Sequence, residues 1–243
     1  ALFKGPVQPW KGILLYGPPG TGKSFLAKAI AGEANNITFT TVSPAELTSK
    51  WVGESEKLVS GLFATARAHR PSIIFIDEID SLVSARDSDN NESESGRRIK
   101  TEFLIQLDGV KSDNTGILFI AATNLPWALD PAIRRRFEKR IYVPLPDKEA
   151  REVLIKQKLH DASYDLSQRD INQLVNDTEG FSGADLTILI RDALMQPIRE
   201  LQSANSWCKT RGIDMNGVLR DGLWVPCARN KPGANHCTWE QLP

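Results

Sequence analysis

Gly17 to Ser24 read GPPGTGKS, and what these eight residues are decides the fold. They satisfy the pattern G-x-x-x-x-G-K-[ST], follow the apolar run ILLYG that starts at Ile13, and open the segment SFLAKAIAGEA at residues 24–34, whose apolar residues recur three and four apart. This is the strand, loop and helix context that the pattern needs. Gly17, Pro18, Pro19, Gly20, Thr21 and Gly22 then form a loop whose backbone N–H groups turn inward on phosphate oxygens, with the positive end of the helix dipole behind them. In such a loop Lys23 contacts the β- and γ-phosphates and Ser24 ligates Mg2+. The alternative, a chance glycine-rich turn, has no need of the flanking strand and helix.

Outward from this loop, short runs rich in isoleucine, valine and phenylalanine alternate with helical segments. They are ITFTTV from Ile37, IIFID from Ile73, ILFIAAT from Ile117 and RIYVPL from Arg140, with the amphipathic SEKLVSGLFATARAH at 55–69 among them. Continuous apolar strands separated by helices describe a parallel sheet covered on both faces, so the expected class is α/β, doubly wound, with five strands flanked by helices. After PLPD at 144–147 the pattern changes. KEAREVLIKQKL, LSQRDINQLVNDT and SGADLTILIRDALMQPIRELQSA read as helices with no strand between them, the last capped by Ser182 and bent or ended near Pro197. From Trp207 onward, turn residues and aromatics replace helical periodicity and suggest a short hairpin. The expected domains are a nucleotide-binding lobe at 1–146, a small helical lobe at 147–206 and a β insert or tail at 207–243. The polar stretch SARDSDNNESESG at 84–96 reads as a loop.

Two acids end the buried strand IIFID, at the carboxyl edge where such sheets bind ligands. There Asp77 would hold Mg2+ through water and Glu78 would polarise an attacking water; a solvated rim is the plainer alternative. Asn124 ends the run ILFIAATN and, if that strand neighbours the other two, sits beside the γ-phosphate or the water, or else serves a turn before Pro126. In DPAIRRRFEKR, three consecutive arginines exceed what one phosphate site already served by Lys23 requires. They form either a basic surface patch or a finger reaching a γ-phosphate held by a neighbouring subunit, a device worth roughly 10³ to 10⁵ in rate. The second reading makes the active form an oligomer. The tryptophan in SKWVGESEK, Trp51, is either a local lid on its own domain or an exposed contact for something else.

The 243 residues balance 30 basic against 30 acidic side chains, so no surplus of positive charge points to nucleic acid. Three cysteines, Cys208, Cys227 and Cys237, form no CxxC pair and fit a reducing compartment better than a disulfide framework. No run approaches eighteen apolar residues, and the start shows no leader pattern. A cytoplasmic protein is expected. A chain that opens without methionine and stops after TWEQLP is also expected to be a piece of a longer one.

GPPGTGKS, FIDE, ATN and RRRFEKR, in this order across residues 12–146, resemble the motifs of the AAA ATPase family, meiotic clade. The resemblance implies a P-loop AAA+ large lobe with a small helical lobe, Mg2+-dependent hydrolysis of ATP to ADP and phosphate, and a hexameric ring. It implies that GFSGADL at 180–186 touches adenine and ribose through Gly183 and Ala184. Lys50, Trp51 and Val52 would line the central pore and grip a polypeptide, with Arg86 on a second pore loop, and Arg135 and Arg136 would be the fingers, leaving Arg134 structural. SKWVGESEKLV, RRIKTEFLIQLDGV, AIRRRFEKRIYVPLPD and DALMQPIRELQSA are most similar to family members that disassemble ESCRT-III filaments in endosomal sorting, recruited to endosomal membranes peripherally; WVPCARN and CTWEQL are similar to their β domain, which docks an activator protein. Microtubule-severing members of the katanin and spastin type share most of the core motifs and remain the alternative. The filament-disassembling members also carry an N-terminal microtubule-interacting-and-transport domain and a C-terminal helix. Without them, these 243 residues are expected to bind nucleotide weakly and to be mainly monomeric when dilute.

Overall fold

The computed structural model describes residues 9–34, 36–47, 54–82, 94–108, 114–160, 162, 164–213 and 218–241. The chain divides into two compact units, one of residues 1–147 with 180–184 and the other of 148–179 with 185–243.

In the first unit the order is β1 (Gly12–Tyr16), α1 (Lys23–Glu33), β2 (Thr38–Val42), α2 (Pro44–Leu47), α3 (Glu54–Ala68), β3 (Ser72–Ile76), α4 (Glu94–Asp108), β4 (Ile117–Thr123), α5 (Pro131–Arg136) and β5 (Lys139–Tyr142). The strands form one parallel sheet in the order β2-β3-β4-β1-β5. Side chains alternate between its faces, and both faces are buried along the central strands β3, β4 and β1, while the edge strands β2 and β5 are more exposed. Leu14, Ile74, Ile76 and Phe119 pack against Val59 and Phe63 of α3, Ile99 and Phe103 of α4 and Ile133 of α5. Leu15, Ile73, Phe75, Ile120 and Ala122 turn the other way, towards Ala27 of α1. This explains why the strands read as unbroken apolar runs. Phe119 is the hub of the first face, with ring centroids 6.0 Å from Phe63, 6.3 Å from Phe103 and 5.6 Å from Phe137.

The second unit holds α6 (Lys148–Leu159), α7 (Gln168–Asp177) and α8 (Gly183–Ser203), the first two residues of α8 counting with the first unit, then the antiparallel hairpin of β6 (Trp207–Ile213) and β7 (Leu219–Pro226). Ile155, Leu159, Ile171, Val175, Leu186 and Ile190 make its helical core. Ser167 and Asp170 form a capping box at the start of α7. Of the two expectations at Pro197, a bend or an end, the end does not occur: α8 carries Pro197 inside it and continues to Ser203. Proline there removes one backbone donor, but the flanking turns are exposed and an Asp192–Arg199 ion pair spans the position. The polar stretch 84–96 is likewise shorter than read, because α4 begins at Glu94.

Sequence periodicity did not single out α5. It starts from Asp130, whose carboxylate accepts from the Ala132 N–H at 2.7 Å, with Pro131 in the first turn, and Lys100 of α4 pairs with the same carboxylate. Partial burial pushes the Asp130 carboxyl up, but the Lys100 ammonium and the Ala132 and Ile133 N–H groups outweigh it and hold the group below its ordinary value. A depressed carboxylate contributes stability that is present above the unfolded-state pKa and lost as pH falls through the folded one. Asp130→Ala is therefore expected to lower unfolding free energy by about 1 kcal/mol near neutral pH. In denaturant titrations the gap from the parent chain should narrow below about pH 4; a gap that stays constant into acid would remove the ionised carboxylate from this role.

Candidate nucleotide site

The loop after β1 lies at the carboxyl edge of the sheet. Its path depends on two glycines. Gly17 has φ +152°, and a Cβ there would stand 2.2 Å from the Val143 carbonyl oxygen. Gly20 has φ +73°, and its Cβ would meet the Ser182 hydroxyl at 2.5 Å and the Ala184 methyl at 2.8 Å. Both positions demand glycine because the Val143 backbone at one, and the Ser182 and Ala184 side chains at the other, occupy the space, and both have positive φ. The Ala184 N–H also donates to the Gly20 carbonyl at 3.2 Å, so the stretch holding Gly183 and Ala184 is tied to this loop.

Lys23 opens α1 and is only 6% exposed. Its ammonium donates to the carbonyls of Gly17 at 2.9 Å and Pro18 at 2.7 Å and stands 3.5 Å from the Thr21 hydroxyl. Burial pushes the Lys23 ammonium down from its ordinary value, and the Asp77 carboxylate opposes that shift. Ser24, next on α1, donates its hydroxyl to Asp77 Oδ2. The pair that the sequence reading gave to a metal is thus brought together across 53 residues of chain.

Glu78 follows Asp77 in the left-handed region, at φ +49° and ψ +44°, and its N–H donates to Asp77 Oδ1 at 3.0 Å. Such a conformation costs a non-glycine residue about 1–3 kcal/mol and gathers at functional sites. Here it leaves the Glu78 side chain exposed at the edge rather than continuing the strand. Asn124 follows β4, which lies between β3 and β1. Thr123 is opposite Tyr16, so Asn124 stands level with the first residue of the phosphate loop. A link that sequence reading missed fixes this edge: the buried Thr123 hydroxyl donates to Asp80 Oδ1 at 2.5 Å and accepts from the Leu125 N–H at 2.9 Å. No local signal pairs Asp80 with a residue 43 positions away.

Arg135 and Arg136 are not in this group. They end α5 at the amino edge of the sheet, where the Arg136 carbonyl lies 2.8 Å from the place of a Cβ on Gly12, the first residue of β1. The five residues of β1 separate them from the phosphate loop, a span of about 16 Å. Both line a cavity of about 230 Å³ with Lys11, Asp108, Phe119 and Glu138. Arg136 is gripped there by Asp108 through two contacts, Nη2 to Oδ2 at 2.6 Å and Nε to Oδ1, and these raise its already high pKa. The Arg134 carbonyl, in the last turn of α5, accepts from Arg140 Nη2 at 3.1 Å. Lys50, Trp51, Val52 and Arg86 lie outside the described residues.

Comparison with known proteins fits this geometry. Residues 13–145 match the model of the ATPase family associated with various cellular activities (AAA), and residues 169–210 match that of the AAA+ lid domain. The chain is 56% identical over 245 residues to vacuolar protein sorting-associated protein 4B of Mus musculus, covering 100% of this chain and 54% of the relative. The chain thus spans about half the length of that relative. Among solved structures, the FIGL-1 AAA domain in complex with ADP superposes with a TM-score of 0.72 at 47% identity, covering 82% of this chain and 65% of that one. A structure described as the basis for katanin self-assembly gives 0.67 at 47% identity, covering 82% and 62%. Matched by the family model over more than half of its length, with a relative 56% identical along all of it, the chain belongs to the ATPase family associated with various cellular activities.

Proposed function

We propose that the protein hydrolyses ATP with Mg2+ and that subunits assembled in a ring use the cycle to pull on ESCRT-III polymers in endosomal sorting. The observation that carries the hydrolytic reading is the join of Ser24 to Asp77 beside a buried, loop-bound Lys23. Oxygen donors of this kind suit a hard divalent cation. Ser24 would hold the ion directly and Asp77 through water, while Lys23 turns from the loop carbonyls to the β- and γ-phosphates. Bound Mg2+ supplies neutralisation of the charge that develops on the transferred phosphoryl oxygens. Glu78 then orients and polarises the attacking water, Asn124 reports the γ-phosphate to the neighbouring strand, and the backbone of Gly17 to Gly22 cradles the chain of phosphates, with Gly183 and Ala184 towards the nucleoside.

The placement of Arg135 and Arg136 about one strand length from their own phosphate loop supports a role on a neighbour's nucleotide, which makes the working unit an oligomer, a hexamer in this reading. Trp51, with Lys50 and Val52, would line the pore, since an exposed aromatic holds an extended polypeptide of varied sequence by non-directional contact. Arg86 would sit on a second pore loop. Residues 207–243 would dock the activator protein, and the boundaries at 146 and 206 would separate the large lobe, small lobe and β tail. The structural likeness to a katanin domain makes microtubule severing the alternative.

Glu78→Gln is expected to retain ATP binding and lower turnover roughly 10² to 10⁴-fold; single-turnover rates matching the parent would take Glu78 out of the reaction. Trp51→Ala should leave nucleotide affinity unchanged and abolish filament disassembly, and filaments that still come apart would return the tryptophan to a local lid. The deciding experiment is the ATPase rate per subunit against protein concentration, with an ESCRT-III tail peptide or tubulin added. A steep rise with concentration, increased by the peptide, is the expected result. A rate independent of concentration would end the trans-acting arginines and the ring together, and stimulation by tubulin alone would select the severing alternative.

A further inference from the structure

The hairpin of the second unit brings two of the cysteines onto one face. Cys208 of β6 lies opposite Val225 of β7, and Cys227 is two residues beyond Val225, so all three side chains share that side. The pairing persists past the named strand, because the Cys227 N–H donates to the Ser206 carbonyl at 2.9 Å. A turn follows, with the Lys231 N–H on the Ala228 carbonyl at 3.0 Å, and it returns the Lys231 ammonium to 3.3 Å from the Cys208 sulfur. The segment beyond folds back again: Trp207 exchanges backbone hydrogen bonds with Asn235, its buried indole donates to the Cys237 carbonyl at 3.0 Å, and Ser206 meets His236 at 2.9 Å. The dithiol therefore sits in a fixed frame rather than on a loose tail. The Cys237 sulfur lies beside the Asn235 amide. Among the described residues no group of three or more His, Cys, Asp or Glu side chains could hold a metal.

We propose that Cys208 and Cys227 are a modification site for small-molecule disulfides, which convert the two thiols into a reversible intramolecular bond. Cys227 is partly exposed and Cys208 is 6% exposed, so the reagent meets Cys227 first. The Cys227 thiol gives its proton to solvent, its sulfur attacks one sulfur of the reagent, the reagent's S–S bond breaks, and the departing thiolate takes up a proton. The Cys208 thiol then loses its proton, its sulfur attacks that of Cys227, and the second small thiol leaves, protonated in turn. Two cysteines are oxidised and one disulfide is reduced to two thiols. Lys231 stands where negative charge develops on the Cys208 sulfur. Burial, and then the Cys208 thiol at its side, raise the Cys227 pKa, so the first step quickens as pH rises above neutral. A bond that forms and reverses in this way is the kind found in reducing compartments. This inference is independent of the ATPase reading.

The test is to incubate the whole chain with glutathione disulfide at about pH 8, quench in acid, alkylate free thiols and map peptides without reduction. The expected product joins Cys208 to Cys227, about two mass units below the sum of its thiol peptides, with Cys237 alkylated and the bond lost on treatment with dithiothreitol. Cys208→Ser should stop at a glutathione adduct on Cys227. A stable adduct on Cys227 of the parent chain, a cross-link that includes Cys237, or no modification at all would each overturn the proposal; the parent chain alone decides if the variant fails to fold.

Discussion

A lysine ammonium withdrawn from water is the constraint that organises the carboxyl edge of the sheet. Lys23 is buried, and a buried cation is costly unless its donors are met and opposite charge is near. Here the Gly17 and Pro18 carbonyls meet its donors and Asp77 supplies the charge. The loop must therefore close tightly over Lys23. That closure is possible only because Gly17 can lie against the Val143 carbonyl and Gly20 against Ser182 and Ala184. The same loop sets Ser24 on Asp77, and Asp77 accepts the N–H of Glu78 at the turn where Glu78 adopts its left-handed backbone. A phosphate anion in the loop would offer the Lys23 ammonium full negative charge where it now has neutral carbonyls.

Most of this edge was legible in the sequence because its signals are local. GPPGTGKS fixes a loop by its own glycines, and IIFID shows a buried strand and its acids within a few residues. The five-stranded sheet follows from the same kind of reading, since strands buried on both faces announce themselves as apolar runs. What stayed hidden depends on partners far apart in the chain. Asp80 and Thr123 lie on different strands' ends, Lys100 reaches Asp130 from another helix, and Asp108 meets Arg136 only after the sheet has folded between them.

Pro197 shows the opposite failure, a local signal overruled. Proline disfavours a helix interior by about 3 kcal/mol. Yet α8 runs on to Ser203, with Asp192 and Arg199 paired from either side and Gln196 bonded to Glu200 one turn on. The sequence shows the breaker at once; the side-chain pairs on either side of it appear only when the register of the helix is known.

The grip of Asp108 on Arg136 bears directly on the proposed reaction in trans. A guanidinium held in the same chain is not on a neighbour's phosphate, so one contact must yield to the other. Both partners of the pair are partly exposed, 38% for Arg136 and 28% for Asp108. An ion pair in such a setting is worth only about 0–1 kcal/mol. A phosphoryl group engages the same fork bidentately and carries more charge than a carboxylate. An arginine finger's rate effect corresponds to about 4–7 kcal/mol at the transition state. Asp108 can therefore keep the guanidinium extended and oriented without holding it back. In that proposed reaction Asp108 would also give Arg136 a place to return to once the neighbour's phosphate had gone, at the end of α4, the helix that carries Asp108 and the Lys100 partner of the Asp130 cap.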